Sequence, residues 1–170
     1  MAPRRMELIT TPPQNLDALD WYKTLALHEY RHVAQISQMK KGFTSALRFV
    51  IGETAYGLPA LEIPLWMIEG DAVVTETILS ENGRGRTADF LMPVIALHRE
   101  KKIKISYDKS YFGSYKDFTP NHYELGYQLN SYSRLVYGED VGKKLIGFAS
   151  SRSFIPFSFN LGLKKCTTRH

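Results

Sequence analysis

A chain of 170 residues with 44% apolar and 12% aromatic side chains is long and apolar enough for a packed core, which excludes an intrinsically disordered protein and points to a single domain spanning residues 1–170. The net charge of +5 invites a nucleic-acid reading through Arg84, Arg86, Arg99, Lys101, Lys102 and Lys104, but Asp89 and Glu100 interrupt that run and no binding motif accompanies it. A solvated basic face, with no nucleic-acid partner, is the expectation. The lone Cys166 excludes an intramolecular disulfide and a cysteine zinc cluster, so any metal must be held by histidines and carboxylates.

Met1 to Pro13 contains Arg4 and Arg5 but no apolar stretch of signal-peptide length, and no apolar run in the chain is long enough to span a bilayer. A soluble chain without an export signal is expected. Met6 to Thr10 reads as a short edge strand, stopped by Pro12-Pro13 before Asn15 or Asp17 caps the first helix. That helix runs to about Lys41 and ends at Gly42. Along it Trp21, Leu25, His28, His32, Gln35 and Met39 recur at spacings of three and four, beside a second stripe of Tyr22, Ala26, Glu29, Val33 and Ile36.

Ser45 to Tyr56 reads as a second helix closed by Gly57, followed by a connector, Leu58 to Ile63. A third helix, with Pro64 in its first turn, carries Leu65, Trp66, Ile68, Glu69, Ala72, Val73, Glu76 and Leu79 on a wide inward face. Asn82 to Arg86 is a loop by composition, and a helix follows from about Ala88 to Lys101, with Pro93 positioned to kink it or delay its start. Ile103 to Ser106 alternates like a strand and Tyr107 to Phe118 reads as a loop. Thr119 is the expected cap of a helix from Pro120 to Tyr137, ended by Gly138, and a further helix covers Asp140 to Ala149. Beyond Ser150 no period is visible, and Lys164 to His170 reads as an untethered tail.

The chemistry is concentrated in His28-Glu29-Tyr30-Arg31-His32, an H-E-x-x-H pattern. On a helix the first and fifth positions lie about 40° apart around the axis, so both imidazoles can address one metal. Glu29 points to the side, where it can deprotonate a water bound to the ion as a general base. Two histidines leave a catalytic zinc one protein ligand short. The metzincin continuation would require Gly and His where Gln35 and Gln38 stand, and is excluded. A Glu from a following helix is the other common solution, and Trp66-Met67-Ile68-Glu69-Gly70-Asp71-Ala72 offers Glu69, with Glu76 seven residues further on the same face.

These stretches resemble the gluzincin metallopeptidases, specifically the aminopeptidase-like branch, whose third-ligand helix reads W-L-N-E-G-F-A with another Glu seven residues after the ligand. The resemblance implies Glu69 as the third zinc ligand and Glu76 as a partner of a ligating histidine; a purely salt-bridging Glu76 is the competing reading. His122-Tyr123-Glu124-Leu125-Gly126 is similar to the Y-E-K-G stretch of that branch, which implies that Tyr123 donates its hydroxyl to the oxyanion, although Tyr127 lies one turn away. The similarity spans roughly Asn15 to Phe148. It departs in two places: 36 residues separate His32 from Glu69, about double the family's spacing, and the G-x-M-E-N stretch that binds a free amino terminus is missing.

The expected fold is mainly α, or α+β with a small N-terminal strand or sheet, in a zincin-like catalytic domain that is complete or a portion of a longer, exported protein. The expected activity is zinc-dependent hydrolysis of a peptide or protein substrate, with His28, His32 and Glu69 holding Zn2+, Glu29 activating water and Tyr123 stabilising the oxyanion. Hydrolysis of another amide or ester, or a catalytically inactive zinc-binding module, are the alternatives.

Overall fold

A computed structural model describes Met6, Leu8 and residues 21–100 and 105–168 of the protein. The fold is mainly α: among the described residues there is no strand, and the chain forms helices α1 (Trp21–Gln38), α2 (Gly42–Ile51), α3 (Gly57–Glu62), α4 (Leu65–Leu79), α5 (Ala88–Glu100), α6 (Tyr107–Phe112), α7 (His122–Tyr137), α8 (Val141–Ser151) and α9 (Ser158–Thr167), with 3₁₀ turns at Gly52–Tyr56 and Arg84–Arg86. None of the described helices is long and apolar enough to cross a membrane. The expected N-terminal strand and first helix cap lie, apart from Met6 and Leu8, outside the described residues, as do Ile103 and Lys104 of the second expected strand.

The helices gather into two compact units, with the divisions falling inside α1 after Glu29 and inside α7 after Ser131. One unit holds the described part of Leu65–Ser131 with the N-terminal half of α1, and the other holds Tyr30–Pro64 with the described part of Tyr132–His170.

In the unit built on α4, that helix is buried on most of its circumference, with Met67, Ala72 and Val73 at 2% exposure or less. Each large apolar side chain so enclosed contributes about 1.5–3 kcal/mol. α4 and α7 meet at glycines. A Cβ on Gly70 would lie 2.1 Å from the Gly126 carbonyl carbon, and one on Gly126 would lie 2.2 Å from the Trp66 oxygen. Asn130, buried one turn beyond Gly126, donates from its amide to the Trp66 and Gly126 carbonyls at 3.2 and 2.8 Å and locks the crossing. Gly126→Ala should force the two backbones apart and destabilise the fold by about 3 kcal/mol, because the clash is with main chain that cannot rotate away. A denaturant midpoint for Gly126→Ala equal to that of the parent would rule out so close an approach.

Three local expectations change in this unit. Tyr107 to Phe112 is a helix, α6, because Ser106 caps it through a hydrogen bond from the Lys109 amide at 3.3 Å. Its tyrosines serve α4: the Tyr111 hydroxyl accepts from the Leu65 amide at 3.1 Å, and the Tyr107 hydroxyl accepts from the Trp66 indole at 2.7 Å. The start of α7 is organised by Asn121, not Thr119. The Asn121 side chain accepts from the amides of Tyr123 and Glu124, and Glu124 reaches back to the Asn121 amide at 2.6 Å, a reciprocal cap. α5 begins at Ala88 and continues through Pro93, so the proline does not delay its start.

In the other unit α8 supplies the core with Val141, Leu145, Ile146 and Ala149, and Phe159 of α9 is buried as well. α1 stops at Gln38 and Gly42 opens α2 with φ of +50°. A side chain there would also meet Ser151 at 2.6 Å. Thr44 donates to the Ser150 carbonyl at 2.7 Å. The expected connector Leu58–Ile63 is largely the short helix α3, where Pro59 sits in the first turn and loses no intrahelical hydrogen bond. The segment expected as a tail from Lys164 is helical to Thr167, as the last turns of α9.

Candidate metal centre

Around His28 the imidazole is held at both nitrogens. Its Nδ1 lies 2.9 Å from Glu76 Oε2 and its Nε2 lies 3.1 Å from Glu69 Oε2, both carboxylates coming from α4. The seven-residue spacing of Glu69 and Glu76 puts them on one face, two turns apart, so that they bracket a single ring. Glu76 is 1% exposed and makes further bonds to Arg84. The Arg84 amide and Nε donate to Oε1 at 3.2 and 2.7 Å, and Nη2 donates to Oε2 at 3.0 Å.

Arg84 owes its position to glycine. A Cβ on Gly83 would lie 2.2 Å from Thr77 Cα, so only glycine lets this turn fold back onto α4. The Gly85 amide donates to the Thr77 hydroxyl at 3.1 Å and Arg86 Nε donates to the Thr77 carbonyl at 3.0 Å. The sequence places Arg84 in a solvated basic run; in the structure it instead neutralises a buried carboxylate beside the motif histidine. The legible signal was the Asn82-Gly83-Arg84-Gly85 turn, whose glycines permit close approach to the preceding helix.

Tyr123 stands beside this group. Its ring centroid is 6.4 Å from that of His28, and the Arg84 guanidinium lies 5.0 Å above its face. Burial pushes the phenol above its ordinary value and the Glu69 charge adds to this, so the hydroxyl stays protonated as a donor, hydrogen-bonded to Glu69. Tyr127 is occupied elsewhere. Its ring fills the space over Gly85 and meets Phe90 edge-on at 5.8 Å.

Along α1 itself, ligand atoms of His28, Glu29 and His32 lie within 4.8 Å of one another. His28 and His32 are buried at 6% and 8% exposure and Glu29 is half-buried. His32 Nδ1 is 2.8 Å from Gln35 Oε1, a side chain 2% exposed. With the proton on Nδ1 to satisfy that oxygen, the lone pair of His32 is at Nε2. Gln35, at the position that excludes the metzincins, is thus a hydrogen-bond partner of the His32 ring.

The electrostatics of His28 decide what the site can hold. Burial disfavours its charged form, but the hydrogen bonds to Glu69 and Glu76 outweigh that and raise its pKa above the ordinary histidine value. For Glu76, burial favours the neutral acid, but the bonds from His28 and Arg84 hold the carboxyl below its usual range. His28 Nδ1 lies 2.8 Å from Arg84 Nη2, a donor, as well as 2.9 Å from Glu76 Oε2. With Nδ1 accepting from Arg84, Nε2–H donates to Glu69; with Nδ1–H donating to Glu76, Nε2 and Glu69 Oε2 present two lone pairs to a proton or a cation. The donor set, two imidazoles with nearby carboxylates, matches zinc in type.

Compared with protein-family models, with curated proteins and with solved structures, the chain matches none.

Proposed function

We propose that the chain is a zinc-dependent hydrolase of the gluzincin type that cleaves peptide bonds, with His28, His32 and Glu69 holding the ion. The reading rests on one observation, the His28 ring clamped between Glu76 at Nδ1 and Glu69 at Nε2. A carboxylate on the far nitrogen of a ligating histidine fixes its tautomer and raises its basicity, which is a recurrent feature of zinc sites. When bound, zinc supplies Lewis acidity that activates water and polarises a carbonyl.

The remaining work falls to the protein. Glu29, beside both imidazoles, accepts the proton of the attacking water and returns it to the leaving amine. Tyr123 donates its hydroxyl to the carbonyl oxygen as negative charge builds there. Arg84, with its charge over the Tyr123 ring and its bonds to both Glu76 oxygens, holds that carboxylate against the His28 ring. A second reading makes Glu29 the third ligand, and the observation favouring it is that Glu29 belongs to the converging group with both histidines.

Purified protein should hold about one zinc per chain. Glu69→Gln should weaken zinc binding by about a hundredfold, while Glu62→Gln and Glu81→Gln should leave it near the parent value. Competition with a chromogenic chelator measures this directly. Tight binding by the Glu69 variant would transfer the third-ligand role to Glu29, and a parent protein that takes up no zinc would overturn the proposal.

A further inference from the structure

Charge is unevenly divided between the two units. Among the described residues, the unit containing α2, α3, α8 and α9 carries ten Lys and Arg against four Asp and Glu, whereas the unit containing α4 to α6 carries six against ten.

The cationic unit also exposes its most apolar helix. α2 contains no acidic residue, and one face of it, with Phe43, Ala46, Phe49 and Val50, is turned to solvent; Phe49 is 96% and Val50 79% exposed. Its inward face is the smaller one, carrying the buried Thr44. Leu61 of α3 is 88% exposed. Phe43 meets Phe154 with the rings tilted and their centroids 5.1 Å apart, so the face continues into the turn between α8 and α9, where Phe154 and Phe157 are themselves mostly exposed. Phe157 holds φ of +61°, a conformation rare for a bulky side chain, and gains no burial from it. Exposed Lys40 and Lys41 immediately precede α2, and exposed Arg152 opens the turn.

We propose that this unit docks on anionic lipid surfaces, inserting the apolar face of α2 and the Phe154–Phe157 turn below the headgroups while Lys40, Lys41 and Arg152 meet lipid phosphates. Solvent-facing Phe, Val and Leu side chains, with Lys40 and Lys41 directly before α2 and Arg152 two residues before Phe154, supply the two contributions that interfacial binding requires. Charge complementarity selects lipid over a second copy of the chain, because two such cationic faces repel each other. Aliphatic Val50 and Leu61 have no role against stacked bases, which separates the face from a nucleic-acid surface.

The test is co-sedimentation of the full chain with vesicles of phosphatidylcholine alone and of phosphatidylcholine mixed with phosphatidylglycerol. The parent should pellet with the mixed vesicles and stay in solution with phosphatidylcholine alone, and binding should weaken as salt is raised. Phe49→Ser combined with Leu61→Ser should reduce binding by about tenfold or more, with an unchanged melting temperature because both side chains are already exposed. Lys40→Gln combined with Arg152→Gln should reduce it by about tenfold as well. Failure of the parent to pellet with the mixed vesicles overturns the proposal, as does full binding by the Phe49/Leu61 variant. A concentration-dependent dimer that the Phe49/Leu61 variant disperses would assign the face to a second copy instead.

Discussion

Glu29→Gln should keep its zinc and its melting temperature while turnover of a peptide substrate falls by about two to four orders of magnitude. The substitution preserves shape and hydrogen-bonding reach and removes only the ability to accept a proton. Glu29 follows His28 directly on α1, and its carboxylate lies within 4.8 Å of a ligand atom of each motif histidine, the position a base needs in order to reach water at the same ion. That proximity also makes Glu29 a potential ligand, so zinc content and turnover must be measured on the same preparation. Loss of turnover with zinc retained identifies the base. Loss of zinc identifies a ligand, and equal turnover by parent and variant sinks the mechanism.

Tyr123→Phe should lower kcat by roughly a hundredfold to a thousandfold with KM and zinc content near parent values. The hydroxyl is a protonated donor, kept so by burial and by the Glu69 charge, and it stands on the His28 side of α7 under the Arg84 guanidinium. A bond that strengthens only as charge develops on the substrate oxygen lowers the barrier without tightening the ground state. Tyr127→Phe is the control, one turn along α7 and packed over Gly85 and Phe90, and it should stay within about a factor of two of parent turnover. If the control loses activity and Tyr123→Phe keeps it, the donor is Tyr127. If neither variant slows turnover, the oxyanion donor lies outside α7; Tyr107 and Tyr111 are already engaged with Trp66 and Leu65 at the start of α4.

Much of the helical framework was legible because it is written in local periodicity. The bounds of α4, α5 and α8 and most of α7 follow from apolar spacing and from flanking proline or glycine, each within a few residues; of the expected inward face of α4, Trp66, Ala72, Val73 and Glu76 are buried, whereas Leu65 and Leu79 are exposed. The placement of His28 and His32 one turn apart on a single helix is equally local. Short elements escaped for the same reason. α3 and α6 span six residues each, too few for a period to emerge, and the reciprocal cap at Asn121 and Glu124 competes in the sequence with an equally plausible Thr119-Pro120 start.

By itself the sequence determined which residue types were available to a metal and which helices carried them. Their convergence was decided by tertiary structure, since His28 meets Glu69 and Glu76 from 41 and 48 residues away and Arg84 closes on Glu76 through a turn that reads as a loop. Glycine is the physical reason. Gly70 against Gly126 lets α4 and α7 approach closely enough to bring Tyr123 to Glu69, and Gly83 against Thr77 lets the following turn fold back and deliver Arg84. A glycine's spacing in a sequence does not say which backbone will fill the room it leaves, and only the packed fold supplies that partner.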